Sequence, residues 1–166
     1  ILRRFSLSQQ IFLFTRPRTR DWVFALIAFV IGVFGVYPIA QFVNIALGVP
    51  FTGMEFSINS IETFLVVLFY AVITAPFVEE VLFRGLGVGY LIARGISPLL
   101  SGGLTLVAFA LIHFPPWGLG GVIFILLWGT LPTMLRLWRN SLTPGWLMHV
   151  MNNLFAYILL PLVLIH

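Results

Sequence analysis

Three groups of polar side chains interrupt otherwise apolar stretches: Glu79-Glu80 with Arg84, His113 with Phe109 four residues before it, and His149 with Asn152 and Asn153. A charge at the centre of a membrane-spanning helix costs at least about 2.5–3.5 kcal/mol. Such groups therefore face a protein interior or a water-filled cavity. As chemistry, one carboxylate, two imidazoles and a carboxamide are enough to activate a water and to stabilise an oxyanion. Glu79, His113, His149 and Asn153 are the candidate catalytic residues on that count.

Helix geometry sorts the acidic group. Glu80 and Arg84 are four residues apart with the acid first, the favourable order for an ion pair on one helix face. Glu79 is rotated about 100° from Glu80, so Arg84 cannot easily neutralise both and one carboxylate is left free. Each group also has a plainer reading. The acid–base cluster can simply pin two helices together, His113 can make one ordinary hydrogen bond at a helix end, and His149 with Asn153 can join helices through interhelical hydrogen bonds.

The elements that position these residues must be hydrophobic helices. Hydrophobic residues make up 60% of the 166, charged residues 8%, and mean hydropathy is +1.08. About a quarter of a soluble domain is charged, so lipid is the solvent for most of this chain. Crossing about 30 Å of hydrocarbon takes roughly 20 apolar residues. The runs are Trp22 to Leu47, Thr63 to Ala93, Ser97 to Ile112, Leu119 to Leu135 with a kink expected at Pro132, and Thr143 to Ile165. Pro115, Pro116 and Gly118 break the chain between the third and fourth. The expected fold is all-α, a polytopic bundle of about five transmembrane helices around an internal polar cavity. Residues 1–20 read as a basic, membrane-proximal segment and 21–166 as a single transmembrane domain.

All nine basic residues are arginines. Arg3, Arg4, Arg16, Arg18 and Arg20 precede the first run, Arg94 follows the second, and Arg136 and Arg139 follow the fourth. By the positive-inside rule the N-terminus is cytoplasmic. Membrane lipids are the partners of the basic segment; no further basic cluster suggests nucleic acid. There is no cysteine, which excludes disulfides, thiolate metal ligands and Cys nucleophiles together.

Depth can be compared along the helices. Glu79 and His113 each lie about 17 residues from a turn near Gly95 and Ile96, and so reach the same level of an antiparallel hairpin. His149 is only about six residues into its run, about 10 Å deep. Tilt, a kink at Pro132 or a re-entrant segment around Pro115 to Gly120 would have to close that gap.

Glu79-Glu80-Val-Leu-Phe-Arg84 resembles the Glu-Glu-x-x-x-Arg motif of the CAAX-protease and bacteriocin-processing (CPBP, or ABI) intramembrane proteases. Phe109-x-x-x-His113 is similar to their second motif and His149-x-x-x-Asn153 to their third, in the same order, over roughly residues 61–162. The resemblance implies an intramembrane endopeptidase of multi-pass topology in a bacterial or archaeal plasma membrane. The substrate would be a peptide or lipidated protein, processed at the C-terminus of a prenylated CAAX-type protein or in bacteriocin maturation. It implies Glu79 as general base on a water, assisted by His113, and His149 with Asn153 as oxyanion hole. Glu80, Arg84 and Phe109 would support the site.

A rival family reading makes Glu79, His113 and His149 ligands of a Zn2+ ion, as in a metalloprotease. The absence of a His-Glu-x-x-His helix favours activated water, and no cofactor is required by the sequence. Two further readings belong to other classes. One is a non-catalytic membrane immunity or binding protein that keeps the motif residues for structure. The other is a small transporter with a proton relay, for which the inverted repeat that transporters favour is missing.

Overall fold

Prolines and glycines decide how these helices bend. The protein, seen in a computed structural model that describes residues 13–51, 56 and 58–164, contains helices and no strand among the described residues. Five helices run through it: α1 (Thr19–Ala46), α2 (Ile61–Ala93), α3 (Pro98–Leu111), α4 (Phe114–Arg139) and α5 (Thr143–Val163). Four of them are long and apolar enough to cross a membrane, and α3, with 14 residues, is shorter. The chain is an all-α, polytopic membrane protein. Helices suit this solvent because each satisfies its own backbone hydrogen bonds where no water can.

Pro38, Pro76 and Pro161 lie inside long helices. Proline has no N–H, and its ring crowds the carbonyl four residues earlier. In each case the preceding turn is widened to π-helix, over Gly32–Val36, Val67–Thr74 and Phe155–Leu159. The wide turn absorbs the misfit without ending the helix. A fourth π-helical stretch, Glu80–Gly87, has no proline behind it. It carries Glu80 and Arg84.

The kink expected at Pro132 appears as an interruption at Gly129, between Phe114–Trp128 and Thr130–Arg139. A second irregularity falls at Gly118, whose φ of 62° is open to glycine and strained for other residues. It turns the start of α4 just after the α3–α4 corner.

The helices pack around a core of Ala25, Ala28, Phe109, Ile125, Trp128 and Met148, with a smaller cluster of Val67, Ala71, Val72 and Ile158. Alanines on α1 let α5 approach closely, the usual means of packing helices in lipid. Large apolar side chains such as Phe34, Phe42 and Leu99 stay exposed on the outside of the bundle, where acyl chains replace water.

The start of α5 lies inside the protein. Asn140 adopts the left-handed conformation that ends α4, and Ser141 to Gly145 are all buried. Residues 13–18 run over this corner. The Leu142 N–H donates to the Leu13 carbonyl at 2.9 Å, and the Thr143 hydroxyl donates to the Thr15 carbonyl at 2.7 Å. The Thr15 and Ser141 hydroxyls are hydrogen bonded at 2.9 Å. Part of the basic segment thus covers the α4–α5 corner, and α5 begins beneath it. Arg3 and Arg4 lie outside the described residues.

Candidate active site

The acidic pair on α2 divides between two environments. Glu80 is fully buried, whereas the Glu79 side chain keeps 25% of its exposure. Burying a carboxylate requires a charged partner and further hydrogen bonds. Glu80 Oε1 receives both, from Arg84 Nη1 at 3.2 Å and from His149 Nδ1 at 3.1 Å. Arg84 is itself buried, and each of its three nitrogens donates a hydrogen bond. Its Nη2 donates to the Gly129 carbonyl at 3.2 Å and its Nε to Thr133 Oγ1 at 3.3 Å. The guanidinium also lies 4.3 Å from the Phe109 ring centroid, a cation–π contact. The break at Gly129 therefore has a use: it brings a backbone carbonyl to Arg84. A Cβ there would crowd Leu106, the Ile125 carbonyl and Arg84.

The wide turn at Glu80–Gly87 is supported from α4. Arg136 Nε donates to the Arg84 carbonyl at 3.1 Å. Gly145 lets α5 come close on the other side, since a Cβ there would stand 3.3 Å from Glu80 Oε2.

Both histidines have their ring orientation set by an acceptor at Nδ1. His113 Nδ1 lies 2.8 Å from the Phe109 carbonyl. A carbonyl only accepts, so Nδ1 carries the proton and the neutral ring keeps a lone pair at Nε2. The ring sits between Phe109 and Trp117, with centroids at 4.8 and 4.7 Å. His149 donates from Nδ1 to Glu80, and its Nε2 lies 3.6 Å from Glu79 Oε2. One imidazole thus joins the buried carboxylate to the accessible one. The Trp128 ring packs edge-on against it at 4.8 Å.

Asn153 Nδ2 donates to the Ala71 carbonyl at 2.9 Å, which leaves its second amide hydrogen available. Its Oδ1 accepts from Asn152 Nδ2 at 3.3 Å, and Asn152 Oδ1 accepts from Trp128 Nε1 at 3.1 Å. Each group in this series has one orientation consistent with its neighbours.

Glu79, His113, His149 and Asn153 all line one cavity of about 270 Å³, together with Asn152, Trp128 and Tyr157. Glu80 and Arg84 lie behind its wall. Phe109 borders it while contacting Arg84, His113 and His149. His149 reaches the cavity from α5, whose first residues are buried in the protein.

The spacing of the motif residues did not point to Trp128, Trp117, Thr133, Gly129 or Arg136. An indole in an apolar run looks the same whether it faces lipid or a cavity. Asn152 was visible as a polar residue beside Asn153, without a role.

Zinc fits this arrangement poorly. The two free Nε2 positions are suitable donor chemistry, yet among the described residues no three His, Asp or Glu side chains gather closely enough to hold one ion. The alternative ligand set of Glu79, His113 and His149 remains an expectation of the resemblance. His149 is drawn towards the Glu79–Glu80 pair, while His113 is held by its own helix end.

A sequence profile described as type II CAAX prenyl endopeptidase Rce1-like matches residues 61–155, a span that contains every residue of the three motifs. No curated protein and no solved structure matches the chain. The profile covers more than half of the 166 residues. With a polytopic helical fold and a polar cavity built from the same three motifs, the chain belongs to the Rce1-like family of type II CAAX prenyl endopeptidases, which are membrane proteases.

Proposed function

We propose that this protein hydrolyses a peptide bond within the membrane by means of a water activated by Glu79. The substrate is a prenylated CAAX-type C-terminus or a peptide of comparable size, as in bacteriocin maturation. The position of His149 carries this reading. It holds a buried carboxylate with one nitrogen and faces a free carboxylate with the other, 3.6 Å away.

The steps follow from donors and acceptors. Glu79 takes a proton from water as the water oxygen bonds to the scissile carbonyl carbon. His113 offers its Nε2 lone pair to the same water and orients it. Negative charge develops on the former carbonyl oxygen, where preorganised donors contribute most to the rate. His149, held at Nδ1 by Glu80, and the second amide hydrogen of Asn153 stabilise that oxygen. Glu79 then returns its proton to the departing amine as the C–N bond breaks. Glu80 and Arg84 transfer no proton; they hold His149 in place.

The test is incubation of purified protein with a farnesylated CAAX peptide, wild type beside Glu79→Ala, with mass spectrometry of the products. Wild type is expected to release the C-terminal tripeptide, and the variant to fold and release none. Equal cleavage by both, or none by wild type, overturns the proposal.

A further inference from the structure

A single hydrogen bond fixes the His113 ring, from Nδ1 to the Phe109 carbonyl at 2.8 Å. A ring held at one point can still tip about that bond, so its faces must be packed as well. The Phe109 ring stands T-shaped to it at 4.8 Å, and the Trp117 indole covers it at 4.7 Å, with the two planes 34° apart. Such aromatic pairs stabilise beyond the area they bury.

Trp117 is not secured by its own helix. Pro115 and Pro116 precede it, and Gly118 behind it leaves the helical region at a φ of 62°. What holds the indole comes from elsewhere in the chain. Phe51 packs against it at 5.5 Å, and Phe51 stacks in turn on Phe124 at 5.1 Å. Gly121 leaves the room, since a Cβ there would collide with Trp117 Cβ.

Phe51 is anchored by the end of α1. Residues 49–51 lie directly against α4 at Gly120, where a Cβ would collide with the Val49 carbonyl. Asn44, fully buried, fixes this approach from both sides. Its Nδ2 donates to the Gly120 carbonyl at 3.0 Å, and its own carbonyl accepts from the Val49 N–H at 2.9 Å. Asn44 Oδ1 is buried without a partner, a cost that an apolar residue would not carry. The bond to Gly120 is what the carboxamide provides in return. Gln41 Nε2 adds a hydrogen bond to the Phe51 carbonyl at 3.2 Å.

We infer that Trp117 is a positioning residue for His113, and that the end of α1 with residues 49–51 holds Trp117 in place. Gln41, Asn44 and Phe51 lie outside residues 61–155, the span that the family profile matches. One motif histidine is therefore aimed by a part of the chain that carries no motif. The indole Nε1 is buried and unpartnered, so the ring and not its N–H carries the effect, and phenylalanine is the conservative replacement. The part His113 plays in catalysis rests on the proposed peptidase reading; the placement of its ring does not.

The first test needs no substrate. Nitrogen NMR of protein labelled in its histidine rings, in detergent, distinguishes a proton on Nδ1 from one on Nε2. The His113 signals are identified by their absence from His113→Ala. Wild type is expected to show His113 in the Nδ1–H form alone. In Trp117→Leu and Phe51→Leu the ring is expected to populate both forms, with the His149 signals unmoved, and Trp117→Phe is expected to match wild type. His113 signals unchanged in Trp117→Leu overturn the inference, and so does an equal disturbance of His149, which marks general loosening. If Trp117→Leu does not fold, Phe51→Leu decides by the same signals.

The second test separates kcat from KM with the farnesylated CAAX peptide. Trp117→Leu is expected to lower kcat about tenfold, the upper end of what an aromatic pair contributes, with KM unchanged and Trp117→Phe within about twofold of wild type. A rise in KM alone, or a phenylalanine that does not restore the rate, overturns the positioning role. A wild type that cleaves nothing refutes the peptidase reading, and the NMR signals still decide how His113 is placed.

Discussion

Glu79 and His149 face each other at 3.6 Å, Oε2 to Nε2, although 70 residues separate them in the chain. The opposite nitrogen of the same ring is held by Glu80 at 3.1 Å. Glu80 is held in turn by Arg84 at 3.2 Å. The series Arg84–Glu80–His149–Glu79 runs from a fully buried cation to a carboxylate that the cavity can reach. Its outer members are placed for chemistry and its inner members for support, which gives the variants below different signatures.

Glu79→Gln keeps the shape of the side chain and removes its basicity. We expect a rate loss of at least about 10²-fold, the lower end of what general bases contribute, with unchanged thermal stability. Peptide cleavage and thermal unfolding in detergent read the two quantities side by side.

Arg84→Ala should damage the fold before the chemistry. Removing one member of a buried ion pair leaves the other uncompensated, at a cost of about 3–5 kcal/mol. Lower yield and a lower melting temperature in detergent are expected. A variant that melts like wild type and has lost all activity would move Arg84 from support into the reaction itself.

Trp128→Phe keeps an aromatic ring beside His149 and removes the indole N–H that orients Asn152. The loss of one hydrogen bond, about 1 kcal/mol, corresponds to roughly fivefold in rate. It should appear in kcat rather than KM, since the Asn153 carboxamide is assigned to the oxyanion. Asn152→Leu should show the same split. A change in KM alone would mean that this series of hydrogen bonds binds substrate instead.

Strong chelators should leave activity unchanged. The expectation rests on donor positions, because no three ligand side chains gather around one point among the described residues. Activity assayed before and after dialysis against a chelator, with metal analysis of the protein, provides the check. Loss of activity with loss of one equivalent of zinc would require His113 to join Glu79 and His149 in a closed ligand set.

What the sequence determined by itself was local. Apolar runs long enough to cross lipid, and prolines, glycines and arginines at their ends, are properties of neighbouring residues, and they defined the helices and the all-α class. The ion pair of Glu80 with Arg84 was legible for the same reason, since four-residue spacing brings side chains together on any helix. The polar residues in apolar surroundings could be picked out because lipid makes them costly wherever they sit.

Tertiary structure decided everything that depends on depth and facing. His149 meets Glu80 where the corner before α5 is buried under residues 13–18, and Thr143 in that corner finds its partner Thr15 128 residues away in the chain. Trp128 turns inward to Asn152, and the Gly129 carbonyl turns to Arg84, only because α2, α4 and α5 pack as they do. Contacts of this kind join residues far apart in the chain. Helix periodicity constrains which residues share a face, but not which face of another helix it meets.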